Sequence, residues 1–262
     1  MADLAVLEVG PADRPTVALL HGVGTSGWMW RRLVDALGAD LHLLVVDLPG
    51  HGDSAGRPWV SLADTVAAVA DVLADRSADR RAHLVGLSLG GYVATELAAR
   101  RADLVPSALV SGVNVLPFPR PRLVRVAGRL MSPLMTTGPL LRANARALAV
   151  PPEDFDGYAA AARAMAPGTF LRVGGELLEY RVPGSAATSS SRVLAVAGDR
   201  EQELVRRSLL RIAGAFPDGA ARLVPGVGHA WNGEQPGLFA DVGRAHVAGA
   251  GLPAALREPQ PA

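Results

Sequence analysis

Leu84-Val85-Gly86-Leu87-Ser88-Leu89-Gly90-Gly91, followed by Tyr92-Val93-Ala94-Thr95-Glu96-Leu97-Ala98-Ala99, joins an apolar run to a segment whose apolar residues Val93, Leu97 and Ala98 have helical spacing. The run reads as a buried strand that drops through a Gly-x-Ser-x-Gly turn directly into a helix. A serine on so sharp a turn is forced into a strained backbone conformation. Gly86 and Gly90, which have no side chains, let strand and helix pass closely enough to form it. The Ser88 hydroxyl is then presented at the strand's carboxyl end, which makes it a candidate nucleophile. The Leu89 N–H opens the helix, where amides lack partners in the chain and the helix dipole favours negative charge, so it is a candidate oxyanion donor.

Upstream, Leu4–Glu8 and Thr16–Leu20 read as strands around Gly10-Pro11-Ala12-Asp13, with a hairpin at a sheet edge as the expected arrangement. A helix from Trp28 to Leu37 and the strand Leu43–Val46 follow, then an amphipathic helix from Ser61 to Ala74 and, past the elbow, the strand Ala108–Val110. Alternation of strand and helix predicts an α/β fold with a doubly wound, mostly parallel sheet. After Gly112-Val113-Asn114 the alternation stops, and proline-punctuated helical pieces occupy 117–185. The expected division is a core made of 1–116 and 186–262, with 117–185 as a helical cap over the carboxyl edge of the sheet. Phe118, Met131, Met135, Phe155, Tyr158 and Phe170 in that cap divide between its own core and the ligand. Gly184–Ser191 reads as a polar connector, Val193–Ala197 and Ala221–Val224 as strands, Pro236 as the start of a closing helix, and 251–262 as a frayed tail.

Composition narrows the classes. The chain has 262 residues, 49 % apolar and 19 % charged, with a net charge of +1. All 26 basic residues are Arg, and Arg pairs scattered beside acids read as solvated helix faces, so neither nucleic acid nor membrane is an expected partner. Arg120, Arg122, Arg125 and Arg129 read the same way. No cysteine is present, which removes disulfides, thiolate metal sites and cysteine nucleophiles. Met1-Ala2-Asp3-Leu4 lacks a basic leader, so a cytoplasmic location is expected, as monomer or homodimer. No His-x-x-x-His pair occurs and no metal or other cofactor is expected. His21 and His51 read as loop scaffold; His42, His83 and His246 read as partly buried structural residues.

Three further pieces complete the pattern: Glu201 or Asp199 after a later strand, Gly228-His229 after the last one, and His21-Gly22 with Asp47-Leu48-Pro49-Gly50-His51-Gly52-Asp53-Ser54 after the early ones. From Leu4 to Val247 the sequence resembles the α/β-hydrolase family, in which nucleophile, acid and histidine follow in that chain order. The resemblance implies a serine hydrolase acting on a carboxylic ester, thioester or lactone with an apolar portion, through an acyl-enzyme. Ser88 would attack, His229 would shuttle the proton, and an acid would hold the imidazole. The second oxyanion donor would be the Val23 N–H, beside that of Leu89. The family usually has Gly-x-x-Asp after that strand, and here, counting from Gly198, the fourth position is Glu201; Glu201 is favoured, and Asp199 stays open as the alternative acid. Trp28 and Trp231 lie near these loops and are candidate pocket walls.

A reading of a different class competes. Gly22-Val23-Gly24-Thr25-Ser26-Gly27 matches Gly-x-Gly-x-x-Gly between strand and helix, and Asp47 ends the next strand, as a nicotinamide-dependent oxidoreductase would require. It leaves Ser88, Glu201 and His229 without a purpose. A third reading is a binding protein that keeps the fold without turnover.

Overall fold

The computed structural model describes residues 3–260 except 78, 132 and 133. Runs of Leu, Val and Ala build seven strands: β1 (Val6–Val9), β2 (Thr16–Leu20), β3 (His42–Val46), β4 (His83–Leu87), β5 (Ser107–Ser111), β6 (Arg192–Gly198) and β7 (Gly219–Val224). They form one sheet in the order β1-β3-β2-β4-β5-β6-β7, parallel throughout except for β1. Every residue of β2, β3 and β5 is buried, because helices cover both faces. On one face lie α2 (Leu62–Arg76), α3 (Leu89–Arg100) and α8 (Glu203–Ala213); on the other lie α1 (Arg31–Leu37) and α10 (Pro236–Ala248). The reversal of strand order places the carboxyl ends of β2, β4, β5, β6 and β7 along one edge, where loops converge.

Between β5 and β6 the chain makes α4 (Pro121–Met131), α5 (Gly138–Ala147), α6 (Phe155–Ala164) and α7 (Thr169–Leu177), and α9 (Trp231–Glu234) precedes α10. The insertion has a small core of its own, Leu141, Ala145, Tyr158, Ala159 and Ala162. Polar seams join it to the sheet portion. Asp154 pairs with Arg31 and Arg32 of α1, and both Glu176 carboxylate oxygens accept from the Leu62 N–H at the start of α2 (2.9 Å each).

Two local expectations are corrected. β1 and β2 do not form a hairpin: β2 already has β3 and β4 on its two edges, so β1 crosses over and pairs antiparallel with β3, Val6 opposite Val46. The tail is not frayed along its length, since Arg257 and Leu223 exchange backbone hydrogen bonds (2.7 and 2.9 Å) and so cover part of the β7 edge. The 184–191 stretch connects α7 to β6, and it is pinned to the core on the way. Residues Gly184–Thr188 form a 3-10 turn, the Ser189 hydroxyl donates to the Ala98 carbonyl (2.5 Å) and the Ser191 hydroxyl to that of Val105 (2.7 Å).

Candidate active site

Ser88 sits between β4 and α3 with φ 54° and ψ −118°, a region that L-residues rarely occupy. Two close approaches hold it there. A Cβ on Gly86 would overlap the Gly90 carbonyl, and one on Gly90 would overlap the Leu20 carbonyl of β2. The Ser88 N–H donates to the Ser111 carbonyl of β5 (2.8 Å) and the Gly90 N–H to the His21 carbonyl (2.9 Å), so the turn is tied to the strands on both sides. The serine itself is half-buried, its hydroxyl reachable from the cavities beside it.

His229 follows β7, and its Nδ1 lies 2.5 Å from Glu201 Oε2. Burial raises the Glu201 carboxyl, but the hydrogen bond and charge of His229, with the Gln202 N–H on the other oxygen, bring it below the ordinary carboxylate value. Asp199 is engaged elsewhere: its Oδ1 accepts from the Gly226 N–H (2.8 Å), bracing the turn after β7. The other side of the imidazole meets Gly112, which has φ +68° and whose Cβ would come 2.6 Å from His229 Cε1. Gly112 packs against the candidate imidazole, a contact that sequence reasoning passed over, although a glycine directly after a strand end was the available signal. Below it, Asn114 is fixed by its N–H to the Tyr92 hydroxyl (3.0 Å) and by the Ser208 hydroxyl (3.0 Å). Burial pushes that Tyr92 phenol up to about 12, so it stays protonated.

Among the described residues neither the Val23 nor the Leu89 N–H has a hydrogen-bond acceptor in the protein. Leu89 is the first residue of α3, and Val23 follows Gly22, at which a Cβ would lie 3.3 Å from Ser88 Cβ. Two amides without partners therefore flank the serine. Two cavities meet at Ser88, Val23 and His229. One, of about 260 Å³, runs between α1 and the insertion and is walled by Trp28, Leu148, Tyr158 and Phe170, with Arg31 at its end. The other, of about 700 Å³, opens between α4, α7 and the loops after β5 and β6, past Phe118, Leu177 and Val205.

Residues 17–242 match the model of the alpha/beta hydrolase family. The chain belongs to the alpha/beta hydrolase family. A pimeloyl-[acyl-carrier protein] methyl ester esterase of Vibrio atlanticus (strain LGP32) is 44 % identical over 91 residues, 35 % of this chain and 33 % of the relative. The magnesium-chelatase 30 kDa subunit of Rhodobacter capsulatus is 31 % identical over 182 residues, covering 59 % and 64 %. The chain thus matches about a third of the length of the esterases it is similar to. Among solved structures, a hydrolase from Pseudomonas aeruginosa PA01 superposes with a TM-score of 0.76 at 25 % identity over 94 % of both chains. A thermophilic esterase from Thermogutta terrifontis shares the fold, with a TM-score of 0.72 at 20 % identity over 94 % of this chain and 93 % of that one.

Within this alpha/beta hydrolase two sequence-level candidates fall away. Trp231 is fully buried, donates its indole N–H to the Ser111 hydroxyl (2.9 Å) and packs at a tilt against Phe239 with ring centroids 4.3 Å apart, so it is core and no pocket wall. Trp28 does line the smaller cavity, packed against Gly157 with the Arg31 guanidinium 4.4 Å from its ring centroid. The dinucleotide reading loses its acid. Asp47 accepts from the Gly27 N–H (2.6 Å) and the Asp53 N–H (2.8 Å), and it fills the space that a Gly52 side chain would take. His21 is likewise occupied, Nδ1 with the Gly22 carbonyl (2.8 Å) and Nε2 accepting from the Leu48 N–H (2.9 Å).

Proposed function

We propose that this chain is a serine hydrolase that cleaves a carboxylic ester, thioester or lactone through an acyl-enzyme, with residues 117–185 as a cap over the site. The observation that carries the reading is the 2.5 Å pairing of His229 with the buried Glu201, at a cavity that the strained Ser88 also lines. A neutral hydroxyl is a weak nucleophile, and an imidazole whose Nδ1–H is held by a carboxylate leaves Nε2 free to take the serine proton. As Ser88 Oγ bonds to the carbonyl carbon, that proton passes to His229 and the carbonyl oxygen gains the negative charge. The Val23 and Leu89 amides, free of partners within the protein, receive it. Collapse breaks the bond to the alcohol or thiol, which leaves with the proton from His229. Water then repeats the sequence on the acyl group and restores Ser88.

The two cavities suit the two halves of such a substrate. The smaller, lined by Trp28, Leu148 and Phe170, takes a compact apolar group, and the larger admits the remainder from solvent. The test is hydrolysis of a p-nitrophenyl ester together with labelling by a fluorophosphonate. Ser88→Ala is expected to lower kcat about 10⁶-fold with unchanged melting temperature, and the label is expected on the tryptic peptide containing Ser88. An unlabelled wild-type Ser88, with hydrolysis that survives Ser88→Ala, would overturn the assignment.

A further inference from the structure

One helix is turned the wrong way round for a globular protein. In α4 no residue is buried, and the apolar residues Leu123, Val126, Ala127 and Leu130, at i, i+3, i+4 and i+7, form the solvent side. Leu123, Val126 and Leu130 are 60, 52 and 73 % exposed, whereas the half-buried positions turned to the protein are Pro121, Arg125 and Gly128. Six of the nine large hydrophobic side chains exposed among the described residues lie between Leu123 and Leu134. The charge is one-sided too, apart from Arg125, whose guanidinium pairs with Glu179 (3.0 Å). Between Asp103 and Glu153 the sequence contains no acid and six arginines, at 120, 122, 125, 129, 142 and 146, in a chain whose net charge is +1.

We propose that α4 docks this protein on an anionic lipid surface, with Leu123, Val126 and Leu130 in the acyl boundary and the flanking arginines on headgroup phosphates. A helix with an aliphatic stripe and an arginine flank lies in the plane of such an interface, where both sides are satisfied at once. Guanidinium groups pair bidentately with phosphate oxygens. A second copy of the chain fits the patch poorly. An eleven-residue helix is about 16 Å long, and the six large apolar side chains exposed at 123–134 fall short of the roughly 800 Å² per partner of a stable dimer. The patch also lacks the aromatic anchors that dominate protein interfaces. No helix among the described residues is long and apolar enough to cross a membrane, so the contact is peripheral. Placement gives it a use: Val124, Arg125, Gly128 and Arg129 line the larger cavity, so a docked α4 holds that cavity beside the lipid.

Co-sedimentation of the full chain with vesicles tests this. Vesicles of phosphatidylcholine mixed with phosphatidylglycerol are expected to bind the protein in low salt and release it as salt rises, while pure phosphatidylcholine retains little. Leu123→Asn with Leu130→Asn is expected to weaken partitioning about 100-fold, and Arg120→Gln with Arg122→Gln about 30-fold. All four side chains are exposed, so both double variants keep the parent's melting temperature, which circular dichroism checks. The proposal fails if the parent does not prefer anionic vesicles or if either double variant binds as the parent does. It fails equally if light scattering shows a dimer that the leucine variant dissolves while vesicles are ignored, since the patch would then belong to a second copy.

Discussion

In the sheet portion, Val17 to Leu20 and Leu43 to Val46 lie at 4 % exposure or less, whereas α4 in the insertion has no buried residue and α5 buries only Leu141 and Ala145. The groups around the proposed chemistry, Ser88, His229, Glu201 and the Val23 and Leu89 amides, all come from the first region. The second region supplies most of the walls of the larger cavity and shares those of the smaller with Trp28 and its neighbours. A transition state needs donors and bases fixed to fractions of an ångström, which close packing supplies. A pocket wall needs only shape, and a thinly packed four-helix roof can vary without disturbing the elbow.

Acid gives the largest separation, because all six histidines lie outside 117–185. Burial keeps four of them neutral, with His21 lowered to about 4, His51 to about 3, His83 to about 4 and His246 to about 4; nearby charges, His21 for His51 and Arg192 for His83 and His246, add to it. The unfolded chain takes up these protons near pH 6.5, so the unfolded state binds more of them below that point. The contribution is therefore complete above pH 6.5 and is lost as pH falls toward 4, at up to about 1.4 kcal/mol per pH unit for each imidazole. Cooperative loss of the sheet signal before pH 4 is expected in acid titration followed by circular dichroism. A melting temperature that stays level from pH 7 to 5 would show that the core histidines are solvated and that the two regions do not differ in this way.

Within the site the comparison narrows to two acids on one loop. Glu201→Gln is expected to lower kcat for an aryl ester about 10³- to 10⁴-fold, the effect of leaving the imidazole in the wrong tautomer. Asp199→Asn, which disturbs only a turn, is expected to stay within about threefold. The reverse outcome in steady-state kinetics would move the acid role to Asp199.

Much of this was legible in the sequence because local signals and tertiary placement agree. The strand before Ser88, the two glycines and the apolar helix after it are each consequences of one tight crossing. The alternation of strand and helix along the chain and the helical character of 117–185 follow in the same way from apolar period and proline placement. Where reading fell short, the deciding contact is distant in the chain. Nothing local says that β2 already has two neighbours, which is why β1 reaches β3 instead. The Trp231 indole lies two residues from His229, yet its partner is Ser111, 120 positions away. The six-residue glycine pattern at 22–27 matched a dinucleotide loop in spacing, but the carboxylate that should be free for a ribose is spent on the Gly27 and Asp53 amides.

Glycine to alanine should have opposite signs in the two regions. Gly90→Ala forces a methyl into the Leu20 carbonyl and is expected to destabilise by about 3 kcal/mol or more. In α4 a Cβ on Gly128 meets nothing within 4 Å, so Gly128→Ala is expected to stabilise by about 0.5–1 kcal/mol through helix propensity. Urea midpoints measure both, and a Gly128→Ala loss as large as that of Gly90→Ala would mean the roof is packed as tightly as the elbow.

A modest effect is expected on the seam between the regions. Asp154 is buried and holds Arg31 and, at 2.5 and 2.9 Å, Arg32, so the first turn of the α6 segment is clamped to α1 at the end of the smaller cavity. The arginine side chains are 37 and 27 % exposed, which screens the pairing. Asp154→Asn is therefore expected to cost about 1–2 kcal/mol, less than breaking a fully buried pair. Because Arg31 also stacks on Trp28, losing the clamp loosens the wall and should raise KM about fivefold for esters that fill this cavity. Turnover should hold, since Ser88, His229 and Glu201 do not touch the seam. Arg31→Gln should give a similar KM rise, and the double variant should add little to either, because both changes remove the same contact. Additive effects would show that the two side chains act on the substrate separately, and a fall in kcat would show that the roof shares in the chemistry.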